Sequence, residues 1–223
     1  MFRHWCDVLP GSIELVAVQL PGRENRFKEA PAANLTDAVG AIADAIPPLL
    51  DVPYATFGHS LGTIVSYELI LELRRRGQRL PSHITMSGRG APHLARLRTS
   101  AHRLSDTEFI EDLRRMEGTP GSVLQNAELM QLLLPTLRAD FALAEHYRPG
   151  CESPLPSQMS VYGGLGDTHV PKAHLQAWQE HCAQQIVLRM FPGGHFFLND
   201  TRLLLLQALA RDLQPLYEDA VVY

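Results

Sequence analysis

The stretch Tyr54-Ala-Thr-Phe-Gly-His-Ser-Leu-Gly62 decides the fold of this chain. A short apolar run ends in the pentapeptide Gly-x-Ser-x-Gly, and Thr63–Gly77 then carries apolar residues at helical spacing. This order predicts a strand, a tight turn and a helix, with Ser60 on a strained turn from which its hydroxyl projects at the sheet edge. We expect both glycines, Gly58 and Gly62, to be required where the helix approaches the strand. The alternative is a glycine-rich turn without chemistry.

The bulk properties of the chain fit one soluble domain. Its 223 residues are 45% hydrophobic, which is enough for a single well-buried core. A net charge of −4 and a pI near 6.2 argue against a nucleic-acid partner. The apolar run Leu203–Leu206 is far too short to span a bilayer, so we expect a cytoplasmic protein that does not enter a membrane. The three distant cysteines, Cys6, Cys151 and Cys182, predict reduced thiols.

Strand patterns alternate with helix patterns along the rest of the chain. Four further strands are predicted at Ile13–Leu20, His83–Ser87, Met159–Tyr162 and Gln185–Phe191. Helices are predicted at Leu35–Leu50, where Pro47-Pro48 interrupts the pattern, and at Asn199–Leu213. Strands separated by helices indicate an α/β fold with a mainly parallel sheet covered on both faces. Ligand chemistry in such a sheet belongs at the carboxyl ends of the strands.

The segment Leu104–Arg148 contains helix patterns without a strand. Ser105 and Glu108 form a capping box for a helix that ends near Gly118. A second helix is predicted at Asn126–Tyr147, with Pro135 kinking or dividing it. Helices inserted before the last two strands would form a lid over the carboxyl edge of the sheet. The alternative is that they only complete the core.

Two later strand ends carry the partners that a serine nucleophile needs. A serine hydroxyl requires a general base, and the base requires a carboxylate that orients it. Asp167 follows the fourth strand and His195 follows the fifth, which gives the chain order Ser60, Asp167, His195. This order is the one expected of α/β-hydrolases. The loop after His83–Ser87 contains no acidic residue that could replace Asp167.

Other histidines and a run of arginines have simpler interpretations. His59 is expected to pack locally, because neighbouring side chains on a sharp turn diverge. His169, His174 and His181 lie in a loop and a surface helix without an acidic cluster, so we expect no metal site. The three arginines at 74–76 favour the C-terminal end of a helix, where positive charge complements the helix dipole. The alternative role is docking to an acidic partner.

The predicted chemistry is acyl transfer through an acyl-enzyme, without a cofactor. Ser60 would attack an acyl carbonyl while His195 takes its proton, and Asp167 would stabilise the imidazolium. Water would then release the acyl group. The backbone N–H of Leu61 would donate to the tetrahedral oxyanion.

Motifs along nearly the whole chain resemble the type II thioesterases that accompany polyketide and nonribosomal peptide synthetases. These are related to the medium-chain acyl-carrier-protein thioesterases of fatty acid synthesis. The motifs are Val18-Gln-Leu-Pro-Gly-Arg-Glu-Asn-Arg26, Gly58-His-Ser-Leu-Gly62, Leu104-Ser-Asp-Thr-Glu108, Leu113-Arg-Arg-Met-Glu-Gly-Thr-Pro120, Leu132-Leu-Leu-Pro-Thr-Leu-Arg-Ala-Asp-Phe141, Gly163-Gly-Leu-Gly-Asp167 and Gly194-His-Phe196. The resemblance implies the α/β-hydrolase fold and an editing hydrolase that clears acyl groups from the phosphopantetheine of an acyl- or peptidyl-carrier protein. It also implies that residues 104–148 are a lid over the acyl channel.

The resemblance also implies a strand before Phe2–Pro10, followed by a loop that donates the second oxyanion hydrogen bond. This sequence begins after that loop, so the single domain 1–223 is expected to be truncated at its N-terminus. The strand Ile13–Leu20 and the strand before Ser60 would then have unpaired edges. We expect the 223-residue chain to be poorly stable and weakly active, and a chain extended upstream to be active.

Two other functions remain open at this stage. One is an ordinary carboxylester hydrolase on the same fold. The other is a non-catalytic protein that binds an acyl-carrier partner, or an inactive fragment.

Overall fold

A single parallel sheet organises the molecule. The structure is a computed structural model, and it describes residues 2–94, 100–116 and 118–218. In these residues the strands are β1 (Ala55–His59), β2 (His83–Ser87), β3 (Gln158–Gly164) and β4 (Val187–Phe191). They lie in the order β1-β2-β3-β4, and every neighbouring pair is parallel. The predicted α/β class is therefore confirmed, and the prediction for β2 is correct at both ends.

Helices connect and cover these strands. In chain order they are α1 (Leu35–Ala45), α2 (Leu61–Arg75), α3 (Asp106–Met116), α4 (Gly121–Leu124), α5 (Ala127–His146), α6 (Lys172–Gln176), α7 (Phe197–Asp200) and α8 (Arg202–Glu218). Short 3-10 segments lie at Glu24–Arg26, Pro47–Leu49, Ala101–Arg103 and Ala177–His181.

The sheet has an apolar cluster on each face. Side chains that alternate along β2 and β3, such as Ile84 and Val161, pack with Ile70 of α2 on one face. Tyr162 and Phe191 pack with α8 on the other face. Both faces are covered because a parallel sheet needs crossover helices to connect its strands.

Parallel register brings three loops to one edge of the sheet. The last residue of β1 pairs with Ser87, Ser87 pairs with Tyr162, and Gly164 pairs with Phe191. The chain leaves β1, β3 and β4 at this carboxyl edge. The loops that carry the predicted site residues therefore start next to one another.

The prediction of a strand at Ile13–Leu20 is wrong for this structure. Within the residues described, the sheet has four strands, and β1 is one of its two edge strands. Ile13 and Leu15 pack against the α8 cluster, whereas Val16 and Val18 are 50% and 54% exposed. A strand pattern gains its hydrogen bonds only from a neighbouring strand, and this stretch has none here.

Two helix predictions need smaller corrections. The C-terminal pattern Asn199–Leu213 is divided into α7 and α8, with Thr201 between them. Of the two outcomes predicted at Pro135, a kink or a division, the division is wrong, because α5 continues through this residue. Pro135 and Gln131 are both exposed, so water can reach the Gln131 carbonyl that loses its intrahelical partner.

The capping box predicted at Ser105 and Glu108 is confirmed. Glu108 N–H lies 3.4 Å from Ser105 Oγ, and Ser105 N–H donates to Glu108 Oε2 at 3.0 Å. The side chain of Asn126 caps α5 by accepting from Leu129 N–H at 3.0 Å. Helices α3 to α5 bury an apolar cluster of their own around Phe109. Whether they act as a lid stays a prediction.

The cysteines and the helices can be compared with the predictions made from composition and hydropathy. All three cysteines are free thiols, with Cys182 buried and the other two exposed. None of the helices in the described part of the chain has the length and apolarity that crossing a bilayer requires.

Candidate active site

Ser60 lies on a strained turn between β1 and α2. Its φ of 53° and ψ of −111° are unusual for a residue with a side chain. Its N–H donates to Ser87 O at 2.8 Å, which fixes the turn to the end of β2. Helix α2 begins at the next residue, Leu61. The strand, turn and helix predicted around Ser60 are therefore confirmed.

The two glycines of the turn have different importance. A Cβ on Gly58 would lie 2.3 Å from Gly62 O, a distance that no side chain can occupy beside backbone. A Cβ on Gly62 would meet nothing within 4 Å. The prediction that close approach requires glycine is correct for Gly58 and wrong for Gly62, because only the strand residue faces the first turn of α2.

Thr63 braces this turn, although the sequence did not single it out. Its Oγ1 is fully buried and lies 2.9 Å from Gly58 O and 2.8 Å from Ser87 O. The same oxygen lies 3.3 Å from the Ser87 N–H, which can donate to it. A threonine three residues after the serine was the available signal, but helix spacing alone gave it no role.

The three side chains predicted to form a triad meet at the carboxyl edge. His195 Nε2 lies 3.0 Å from Ser60 Oγ, and His195 Nδ1 lies 2.8 Å from Asp167 Oδ2. The imidazole and the carboxylate are almost fully buried, with side-chain exposures of 5% and 1%. Low exposure strengthens the hydrogen bonds and keeps competing water from both groups.

The surroundings of Asp167 keep its carboxylate charged. Its Oδ1 accepts from the backbone N–H of His169 at 2.8 Å and of Val170 at 3.2 Å. Burial alone would raise the pKa of Asp167, but hydrogen bonding and charge from His195, with the backbone of His169, hold this pKa below its ordinary value. An ionised Asp167 can orient the imidazole of His195 and stabilise its protonated form.

His59 packs beside the triad, as predicted. Its Nδ1 lies 2.9 Å from Ser87 Oγ, and its ring centroid lies 5.3 Å from that of His195. Burial, and then the charge of His195, lower the pKa of His59 to about 3, although Asp167 acts in the opposite direction. His59 therefore stays neutral at ordinary pH and adds no second positive charge next to His195.

The other histidines have separate surroundings. The ring of His169 lies edge-on to His195, with centroids 6.0 Å apart, which the sequence did not predict. His181 Nδ1 lies 2.9 Å from Tyr67 Oη, and its Nε2 lies 2.8 Å from His93 Nδ1. Within the described ranges no three His, Cys, Asp or Glu side chains are grouped as metal ligands.

The arginine run ends α2, as predicted, and its side chains form ion pairs within the molecule. Arg74 pairs with Glu152 at 2.6 Å, and Arg76 pairs with Asp44 at 2.6 Å. These pairs favour a role inside this chain over docking to an acidic partner.

A large open cavity adjoins the triad. Its volume is about 2110 Å³, and its walls include Ser60 and His195. Leu113 of α3 and Phe141 of α5 also line it, so the inserted helices contribute to the space in front of the serine. The Leu61 backbone N–H lies in the first turn of α2, where N–H groups have no intrahelical acceptor. It is therefore available to an oxyanion formed at Ser60.

The fold and the chain order of these residues define the class. A parallel sheet with helices on both faces, a serine on a strand-to-helix turn, and Asp and His after later strands are the features of the α/β-hydrolase fold.

Comparison with known proteins supplies the family. Residues 1–216 match the thioesterase domain family, so the chain belongs to it. The gramicidin S biosynthesis protein GrsT of Aneurinibacillus migulanus is 38% identical over 213 residues, which are 96% of this chain and 83% of that protein. RedJ, the thioesterase of the prodiginine pathway in Streptomyces coelicolor, superposes with a TM-score of 0.89 at 36% identity, covering 95% of this chain and 80% of RedJ. ClbQ of the colibactin NRPS/PKS pathway gives 0.91 at 27% identity, covering 96% and 91%.

These matches confirm the resemblance that the sequence motifs indicated. GrsT is a gramicidin S biosynthesis protein, RedJ is a thioesterase of the prodiginine pathway, and ClbQ belongs to the colibactin NRPS/PKS pathway. The family and the α/β-hydrolase fold are therefore established for this chain. The individual catalytic roles of Ser60, Asp167 and His195 stay predictions.

Proposed function

We propose that this protein is an editing thioesterase that hydrolyses acyl groups from the phosphopantetheine thiol of an acyl- or peptidyl-carrier protein. The observation that carries the proposal is the hydrogen-bonded series Ser60, His195, Asp167, with distances of 3.0 and 2.8 Å, in a chain of the thioesterase family. Similar structures from NRPS/PKS pathways, such as ClbQ of the colibactin pathway, support a carrier-bound substrate.

Each residue has one role in the proposed reaction. Ser60 Oγ attacks the thioester carbonyl while His195 Nε2 takes its proton, and the Leu61 N–H donates to the oxyanion. The thiol leaves with a proton from His195, and an acyl group remains on Ser60. Water, deprotonated by His195, then attacks this ester, and His195 returns the proton to Ser60 Oγ as the acid is released. Asp167 keeps the Nδ1 proton of His195 in place throughout.

Hydrolysis of matched substrates tests the proposal. Purified protein would be given acyl-pantetheine thioesters, the same acyl groups loaded on carrier proteins, and oxygen esters of equal acyl length. We expect the highest kcat/KM with the carrier-bound thioester. Ser60→Ala and His195→Ala should each lower kcat by about 10⁴- to 10⁶-fold, because triad residues act as a unit.

Two results would point elsewhere. Faster cleavage of the oxygen ester than of the matching thioester would favour a carboxylester hydrolase. Binding of an acyl-carrier protein without any turnover would favour a non-catalytic protein.

A further inference from the structure

An ion pair joins the loop at residues 19–26 to helix α5 across the cavity wall. Arg23 Nη1 donates to Asp140 Oδ2 at 2.9 Å, and Arg23 Nη2 donates to Asp140 Oδ1 at 2.8 Å. Their side chains are 30% and 19% exposed. Exposed ion pairs contribute little to stability. A two-point contact between a guanidinium and a carboxylate in a half-buried position contributes more.

A second contact lies one helical turn away. Thr136 Oγ1 donates to Gly22 O at 2.9 Å, and positions 136 and 140 lie on the same face of α5. Gly22 has a φ of +83°, and a Cβ there would lie 3.0 Å from Pro31 Cγ and 3.2 Å from Thr136 Oγ1. Two neighbouring residues of the loop therefore contact one face of the helix at close range.

The loop is itself held in shape. Arg26 Nη1 donates to Gln19 O at 2.8 Å, and Gly22 N–H donates to Arg26 O at 3.1 Å. The Arg23 Nε donates to Pro21 O at 3.4 Å, which orients the guanidinium. A side chain that is already held in the right orientation loses less conformational freedom when it forms an ion pair.

Both members of the ion pair line the same cavity as Ser60. Leu137, Phe141 and Ala144 of α5 line it as well. The position of α5 therefore sets part of the apolar wall that an acyl group in this cavity would contact, and a longer acyl group offers more apolar surface to that wall.

We propose that Arg23 and Asp140 are positioning residues that hold α5 against the acyl cavity and so favour long acyl groups over short ones. The proposal rests on the thioesterase function proposed above. It assigns a role to the two motifs around Leu20–Arg23 and Leu137–Asp140, which the triad leaves without one.

Steady-state kinetics with acetyl- and decanoyl-pantetheine thioesters test the effect on the substrate. In Arg23→Ala and Asp140→Ala we expect KM for the decanoyl substrate to rise about tenfold, with KM for the acetyl substrate and both kcat values within about twofold. The double variant should be no worse than either single variant, since the two side chains act through one contact. Glu29→Ala is the matched control, because it removes an exposed ion pair with Arg26 at the end of this loop, and the hydrogen bonds of the described residues join the Glu29 side chain to Arg26 and not to α5.

Hydrogen exchange measures the position of α5 independently of activity. Amide protection in residues 127–146 should fall at least tenfold in both single variants and should stay unchanged in Glu29→Ala. Arg23→Lys, which keeps the charge but loses the two-point contact, should lie between wild type and Arg23→Ala. This milder variant serves if an alanine variant does not fold.

The outcomes separate the two proposals. If wild type hydrolyses no thioester, the proposed function fails, while exchange in α5 still tests the ion pair. Unchanged exchange in Arg23→Ala and Asp140→Ala would overturn the positioning role. Equal KM changes for acetyl and decanoyl substrates, or additive changes in the double variant, would do the same.

Discussion

Strand β2, which ends at the carboxyl edge of the sheet, and the stretch Ile13–Leu20 both have the sequence pattern of a strand, but their structures differ. β2 is buried at every residue and is paired on both sides, and the neighbouring strand ends hold the candidate site. Ile13–Leu20 has no strand partner among the described residues, and Val16 and Val18 are about half exposed. A strand pattern therefore indicates that a segment can form a strand when a neighbouring strand is available to pair with it. The following predictions test how far the two regions differ.

The largest effect is expected at the carboxyl edge, from Asp167→Asn. The amide can still accept from the backbone of His169, but it cannot stabilise a protonated His195 and can favour the wrong tautomer. We expect kcat to fall about 10⁴-fold, as in other serine triads. Steady-state hydrolysis of an acyl-pantetheine thioester measures it. The control Asp200→Asn, an exposed residue of α7, should stay within about twofold of wild type. A loss below about tenfold in Asp167→Asn would contradict the orienting role.

A smaller effect, on stability, is expected beneath the sheet from Asp212→Asn. Asp212 of α8 accepts from Ser160 Oγ at 2.7 Å and from Tyr162 Oη at 2.6 Å, and it also pairs with Arg189. Its side chain is 5% exposed. Breaking such a buried pair should lower the free energy of unfolding at pH 7 by about 3 kcal/mol. Urea unfolding followed by circular dichroism measures it.

The pH dependence of this loss gives a second check. Burial alone would raise the pKa of Asp212, but the hydrogen bonds from Arg189, Tyr162 and Ser160 hold it below the ordinary value. The carboxylate therefore stabilises the fold fully above the unfolded pKa of about 3.9, and this contribution is lost as pH falls through the lower folded pKa. The difference between wild type and Asp212→Asn should shrink below about pH 4. A difference that stays constant from pH 7 to pH 3 would argue against an ionised Asp212.

The smallest effect is expected in the unpaired stretch, from Val18→Ala. Because Val18 is 54% exposed, the free energy of unfolding should change by less than about 0.5 kcal/mol. The matched variant Val161→Ala removes the same atoms from a fully buried position of β3 and should cost about 2 kcal/mol. Equal losses in the two variants would show that Ile13–Leu20 is packed as tightly as the sheet.

Local patterns predicted most elements that gain their partners from the sheet. The pentapeptide at Gly58–Gly62, the spacing of α2 and the capping box at Ser105 each encode a turn or helix within a few residues. The chain order Ser60, Asp167, His195 was informative because parallel strands bring their ends to one edge, whatever the separation along the chain.

These local patterns could not predict contacts between segments that are distant in the chain. Helix spacing alone gave no indication that the Thr63 hydroxyl would contact both Gly58 and Ser87. Arg23 and Asp140 are 117 residues apart, so their ion pair follows only from the packing of α5. The missing strand at Ile13–Leu20 has the same cause, because pairing depends on a neighbour and not on the segment itself.

Covalent labelling with a fluorophosphonate, followed by peptide mass spectrometry, tests the central claim most directly, since it reports whether His195 and Asp167 activate Ser60. We predict one stoichiometric adduct on the peptide that contains Ser60, no adduct there in Ser60→Ala, and labelling at least 10³-fold slower in His195→Ala. Unlabelled Ser60 in a folded wild-type protein, or labelling that proceeds at the same rate in His195→Ala, would contradict the account.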